Sequence, residues 1–199
     1  MKTIVCRGIS EEVLDRTADE ILYSRYLRDR DSDDLRELLE RHRESLTLFI
    51  FGFVHDMDDA EELMLNAFAV AASGTSRFSG RSSFKTWLFA IGRNLARKHL
   101  RSSGYAHELN DAVEDPESME AENELIKSED KRELYAALSR LPEDYRNVLY
   151  LLYFEDMSTE QAAAVMKKTK KQVYNLAFRG KQQLKELLTE AGFDDEKYR

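Results

Sequence analysis

MSTEQAAAVMKKTKKQVYN, residues 157–175, decides how the chain reads. Ser158 with Gln161, and Thr169 with Gln172, have the spacing of capping boxes. In that motif a hydroxyl and a side-chain amide satisfy amide groups at a helix amino end. Two helix starts eleven residues apart leave room for a short helix, a tight turn and a second helix. The first would bury Ala162, Ala163, Val165 and Met166, small enough for a close crossing. The second would bury Val173, Leu176 and Ala177, followed by Gly180, Leu184, Leu187 and Leu188 at helical spacing. Lys170, Lys171, Tyr174, Asn175, Phe178, Arg179 and Lys181 are left on or near its open side.

The turn holds four lysines, Lys167, Lys168, Lys170 and Lys171, in a chain of net charge −8. A cation at a helix amino end costs about 0.3–1 kcal/mol at exposed sites. The helix from Thr159 respects that rule, with Glu160 in its first turn; the helix from Lys170 breaks it. A hairpin kept for stability alone would not favour this. An amino end that meets phosphate or a base edge would, since Lys binds guanine O6/N7 or phosphate and Asn pairs with adenine.

Upstream, the apolar periods are helical. Leu35, Leu38, Leu39, His42, Leu46, Phe49, Ile50 and Phe53 make one stripe, with cap candidates at Asp31 to Asp34. A second helix opens at DMDDAEE, where Asp58/Glu61 and Asp59/Glu62 resemble capping boxes, and runs to about Ala72. After a Ser- and Gly-rich loop, Phe84, Trp87, Leu88, Ile91 and Leu95 form an apolar face. A second row, Lys85, Phe89, Arg93, Arg97 and Arg101, leaves a broad basic surface. Residues 1–30 show only a loose helical hint.

Charge is segregated. Residues 76–104 hold seven Lys/Arg and no acid; residues 105–133 hold eleven acids and three Lys/Arg; residues 157–188 hold seven Lys/Arg and two Glu. Local fields follow this pattern rather than the total. The basic–aromatic stretch 77–103 suits phosphate neutralisation and base stacking, although Trp87 taken singly reads as core. One cysteine, two prolines and eight glycines among 199 residues fit a helical chain without a disulfide framework. No signal-like segment or membrane-length apolar run is present, so a cytoplasmic protein with no membrane insertion is expected. His42, His55, His99 and His107 make no i, i+4 pair. There is no phosphate loop or nucleophile elbow, so neither an enzyme nor a metal or cofactor is expected.

The expected fold is all-α: two small helical domains joined by an acidic linker, the carboxy-terminal one a helix–turn–helix domain. Three stretches, in this order, resemble the extracytoplasmic-function sigma factors of bacterial RNA polymerase. DDAEELMLNAFAVA looks like the family's polymerase-clamp helix. FSGRSSFKTWLFAIGRNLARKHLR looks like its −10 element segment. LPEDYRNVLYLLYFEDMSTEQAAAVMKKTKKQVYNLAFRGKQQL looks like its −35 reader. The resemblance implies an unassigned extension over 1–23, a region 2 domain over 24–104, a linker over 105–127 and a region 4 domain over 128–192. It implies core polymerase and promoter DNA as partners, with an anti-sigma factor as an open option. A stand-alone helix–turn–helix regulator is the alternative.

Residue by residue, the resemblance implies polymerase binding by the helix of Asp59, Glu62, Leu65, Asn66 and Phe68. Asn94 would line a pocket for a flipped −10 base, with Arg81, Phe84, Lys85 and Trp87 bordering melted DNA. Arg93, Arg97 and Lys98 complete that DNA-binding set. Lys170, Lys171, Tyr174, Asn175 and Arg179 would face the −35 groove. This chain has Leu65 and Asn66 where the family usually has Gln and an acid. It has Lys167 and Lys171 where the family often has glycine, so either Lys167 takes a positive φ at some cost in strain or the turn geometry differs. A coil of roughly 25 residues spans about 28 Å. An assumed spacing of roughly 17 base pairs covers about 58 Å at ~3.4 Å per step. The linker therefore has to be drawn nearly straight to serve both elements.

Overall fold

The computed structural model describes residues 18–102, 134 and 136–190. Among them all regular structure is helical: α1 (Asp19–Asp29), α2 (Ser32–Val54), α3 (Met57–Ser73), α4 (Phe84–Ser102), α5 (Glu143–Leu149), α6 (Thr159–Met166) and α7 (Lys170–Glu190). Expectations for the acidic linker, for a helix resuming near Ser128 and for a helix end at Gly192 lie outside the described residues.

The amino-terminal unit is α1–α4. Asp31 caps α2 through Asp33 N–H, and Asp56 caps α3 through Asp59 N–H at 2.8 Å. The cap of α3 is thus Asp56 rather than Asp58 or Asp59, which sit in the first turn where the dipole favours acids. Leu38, Leu46, Phe49 and Ile50 of α2 pack with Ala60, Ala67 and Ala71 of α3 and with Leu88, Phe89 and Ala96 of α4. Gly92 permits that approach: a Cβ there would lie 2.9 Å from Leu46 Cδ1 and 3.2 Å from Ile50 Cδ1.

The boundary expected between residues 23 and 24 falls inside α1. Tyr23 is 1% exposed, its hydroxyl donates to Ala71 O at 2.9 Å, and its ring meets Phe78, Phe84 and Trp87. An aromatic ring this deep ties α1 to the unit from Ala18 onward.

The carboxy-terminal unit crosses α5 over α7, with Gly180 against Tyr145 and Leu149. Pro142 caps α5, where its missing N–H leaves no bond unmade. Directly after α5 the chain widens into a π-helical turn, Tyr150–Phe154, a form that recurs at functional sites. This turn aims Tyr150 and Leu151 inward and leaves Tyr153 half exposed.

The two units are docked on each other. Arg146 Nη2 donates to Gly52 O at 2.6 Å and lies 3.1 Å from His55 Nε2, while Arg146 Nη1 donates to Ser139 O at 2.8 Å. The Tyr150 hydroxyl donates to Ser45 O at 2.9 Å, and its ring stacks on Phe49. Among the described residues no carboxylate bonds to Arg146, and its Nε has no hydrogen-bond partner. Burial lowers this guanidinium to about 10.

His55 ends α2 in the left-handed conformation at φ 56°. Burial, then the neighbouring Arg146 charge, lowers its imidazole to about 4 from an ordinary 6.5. The folded chain therefore binds fewer protons than the unfolded chain between these values. Stability from neutral His55 is fully present above pH 6.5 and is lost as pH falls toward 4. The loss should reach about 2 kcal/mol by pH 5. His55→Asn, which tolerates φ > 0, should flatten this part of the pH profile in urea unfolding; an unchanged slope between pH 6.5 and 5 would contradict the assignment.

Candidate nucleic-acid interface

The helix–turn–helix forms as its caps require. Ser158 Oγ accepts from Gln161 N–H at 3.2 Å, and Gln161 Oε1 accepts from Ser158 N–H at 2.8 Å. The Thr169/Gln172 pair repeats the pattern at 3.2 and 2.8 Å. Between them Lys167 is left-handed, at φ 54° and ψ 44°. That geometry lets the N–H groups of Lys167 and Lys168 both donate to Ala163 O, the closure glycine usually provides.

The four lysines divide. Lys168 Nζ bonds Asp144 Oδ2 at 2.9 Å, and Lys170 Nζ pairs with Glu160 across the turn. The charge of Lys170 at the amino end of α7 is thus offset by an acid of α6, and the dipole reasoning no longer singles it out. Lys167 and Lys171 are exposed and make no ion pair among the described residues. Lys171, Tyr174, Asn175, Phe178 and Arg179 share one open face of α7, at offsets 0, 3, 4, 7 and 8. Tyr174 is 67% exposed and Phe178 54%, large apolar area offered to a partner. Lys181 instead lies over the Tyr153 ring.

Helix α4 carries two separate faces. Trp87, half-buried, and the exposed Asn94 and Lys98 fall on one, with exposed Arg81 in the preceding loop. The row Lys85, Phe89, Arg93, Arg97 turns toward the carboxy-terminal unit. Lys85 Nζ pairs with Glu155 Oε2 at 2.8 Å and donates to Glu155 O at 3.0 Å. Phe89 is fully buried against Phe49. Arg93 is buried; burial first, then the Arg97 charge, lowers its guanidinium, against the pull of Glu143 and Asp144. Arg97 lies 3.9 Å from Glu143.

Phe84 has no exposed surface: it sits under Tyr23, Trp87 and His42 and cannot border DNA. Its position opens the apolar face of α4, and an aromatic ring is held there by burial. Phe68, 5% exposed, is likewise core and not a polymerase contact. Glu62, Leu65 and Asn66 do share an exposed face of α3, Leu65 being 54% exposed. Asp59, beside them, meets His99 Nε2 at 3.0 Å.

Sequence reasoning missed Glu155, 8% exposed, and Arg146. A pair of acids closing an apolar run, YLLYFED, is the available sign. Gln161, a cap residue by its spacing, also donates through Nε2 to Ser83 Oγ of the other unit at 3.3 Å.

Among the described residues no helix is long and apolar enough to cross a membrane. Two family models match the chain, "Sigma-70 region 2" over residues 38–105 and "Sigma-70, region 4" over residues 131–184. The RNA polymerase sigma-H factor of Pseudomonas aeruginosa is 32% identical over 166 residues, covering 77% of this chain and 85% of that protein. The ECF RNA polymerase sigma factor SigX of Bacillus subtilis is 27% identical, covering 80% of this chain and 87% of its own. Among solved structures, CnrH in complex with the cytosolic domain of CnrY has a TM-score of 0.65 at 23% identity, covering 87% of this chain and 99% of that one. The sigma factor RpoE in complex with the anti-sigma factor NepR from Bartonella quintana gives 0.63 at 24%, covering 78% and 97%. At these identities the two structures speak for the fold.

Left-handed Lys167 carries a cost of about 1–2 kcal/mol, against which glycine loses about 0.5–1 kcal/mol in chain entropy. Lys167→Gly should therefore raise Tm by about 2 °C. A lower Tm would show that the lysine side chain makes a stabilising contact there.

Proposed function

The chain belongs to the extracytoplasmic-function sigma factors of bacterial RNA polymerase, and from that premise we propose how its surfaces divide the work of initiation. As a sigma factor it binds the core enzyme and promoter DNA and directs transcription initiation. The amino-terminal unit, from Ala18 through the end of α4, holds the core through Glu62, Leu65, Asn66 and Asp59 on α3. Its Asn94, Trp87, Lys98 and Arg81 take the melted −10 strand, with Lys85, Arg93 and Arg97 joining when their present partners release them. The carboxy-terminal unit puts α7 in the −35 major groove through Lys171, Tyr174, Asn175 and Arg179, with Lys170 beside them. The acidic stretch between the units bridges the two elements.

The open face of α7 is the observation that carries this reading. A helix behind a capped tight turn presents a cation, an amide, an arginine and two exposed rings on one side, with no element among the described residues covering them. Asn175 can pair with adenine, and Lys171 and Arg179 with guanine or phosphate. Contact by Tyr174 or Phe178 with a thymine methyl would use their exposed apolar area.

The work is binding and DNA distortion, without a reaction of its own, in the cytoplasm where polymerase and chromosome are. By likeness to the structures solved with CnrY and NepR, an anti-sigma factor is proposed as a further partner.

Transcription of fragmented genomic DNA by core polymerase, with and without the chain, tests the reading: chain-dependent start sites are expected, and none with a cognate core would overturn it. At such a start, Asn175→Ala should weaken promoter binding about 5- to 100-fold, the range of one bidentate base contact. Asn94→Ala should reduce permanganate reactivity of the melted strand while leaving binding of the closed duplex nearly unchanged.

A further inference from the structure

Where α5 and the residues before it meet the end of α2, the two units enclose a cleft. Leu48, Phe51 and Leu138 give it apolar walls, Gly52 its floor, and Arg146 and Asn147 polar groups. We infer that this cleft binds a small monocarboxylate with a short apolar tail, its head bonded to Asn147 beside Arg146 and its tail along Leu48 and Phe51. These residues belong to none of the surfaces assigned above to DNA or core polymerase, so the inference does not rest on the sigma-factor reading.

Charge selects an anion. The Arg146 guanidinium is held by Gly52 O, Ser139 O and His55 Nε2, acceptors without charge while the imidazole is neutral. Among the described residues no acid bonds to it, and Glu143 acts on it through space. A buried cation without a bonded anion is unfavourable, and an arriving carboxylate relieves it. Asn147 gives that carboxylate a direction. It is 2% exposed, lines the cleft, and its amide makes no hydrogen bond among the described residues. Buried amides are nearly always bonded. A Cβ built on Gly52 would lie 3.2 Å from Asn147 Oδ1 and 3.6 Å from Arg146 Nε, so glycine leaves amide and guanidinium side by side under the cleft. The Arg146 Nε is itself covered from solvent; Asn147 therefore makes the direct bond and the guanidinium contributes charge. Water can bond the amide, but it brings no charge and gains nothing from apolar walls.

Size selects the rest of the ligand. Counted out to its open mouth, the cleft holds about 440 Å³, in the lower range of small-molecule sites. Its inner end has room for only a few water molecules, which suits a carboxylate and not a nucleotide. Asn147 is buried whereas Leu48 and Phe51 are half-buried, so the head enters first and the tail lies toward the mouth.

The test uses the full chain near neutral pH with sodium hexanoate, and with acetate and hexanol at matched ionic strength to separate tail from head. Hexanoate should bind with a dissociation constant of about 0.1–1 mM, and at about 10 mM it should raise Tm by about 3–8 °C. Acetate, lacking the tail, and hexanol, lacking the charge, should each bind at least about tenfold more weakly. In proton–nitrogen correlation spectra the Asn147 side-chain amide and the Arg146 Nε–H should move saturably with hexanoate. Asn147→Leu removes the donor at similar volume, and Gly52→Ala fills the floor while favouring the helix. Each should weaken hexanoate binding about tenfold or more and leave the ligand-free chain folded. No saturable movement of the two side-chain signals would overturn the site. Hexanol binding as tightly as hexanoate would reduce it to an apolar surface, and acetate binding as tightly would remove the tail; either overturns the ligand class. Parent-like hexanoate affinity in both variants would put the ligand elsewhere and overturn the assignment as well.

Discussion

Lys85 meets a nearly buried carboxylate, Glu155, across the seam between two helical units, and the disposition of both basic faces follows from that pair. A buried ion pair gains little net stability, because desolvation offsets the attraction. What it fixes is register. With Lys85 held by Glu155, α6 lies along α4, Arg146 is drawn under Gly52, and Tyr150 stacks on Phe49. The reading face of α7 is left pointing outward. In the α4 row Lys85 is paired and Arg93 buried while Arg97 stays exposed, and the α7 face is open, in a molecule whose overall charge is negative.

The exposed face depends on purely local chemistry. Two capping boxes fix two helix starts, and a left-handed Lys167 closes the first helix in a single residue. Small side chains, Ala162 and Ala163 on α6 and Ala177 and Gly180 on α7, are buried at the crossings. Lys170 is neutralised from within by Glu160, so the amino end of α7 offers Lys171 rather than a block of cations. Fewer uncompensated charges leave less attraction for phosphate in general and a larger share of recognition to Tyr174, Asn175 and Phe178.

Much of this was legible in the sequence because it is short-range. The apolar rows of α2, α3 and α4 and the caps of α6 and α7 all follow from spacing within a few residues. The start of the amino-terminal unit was not legible, since α1 buries only Leu22 and Tyr23 and its pattern is correspondingly faint. The π-helical turn was hidden because an apolar run does not reveal its hydrogen-bond step. Phe84 and Phe68 belong to core rows, which a motif resemblance does not distinguish from exposed positions. The seam was the least legible of all. A basic row looks the same whether phosphate or a distant carboxylate answers it, and Glu155 lies seventy residues from Lys85.

The central claim is that two surfaces of one small helical chain act at two separated places on promoter DNA. A hydroxyl-radical and permanganate footprint of polymerase assembled with this chain, at one of its own start sites, tests it most directly. Two protected segments on one promoter should appear, the upstream one double-stranded and lost with Asn175→Ala, the downstream one permanganate-reactive and lost with Asn94→Ala. A single continuous protection that responds to α7 alone, with no reactive strand, would contradict it.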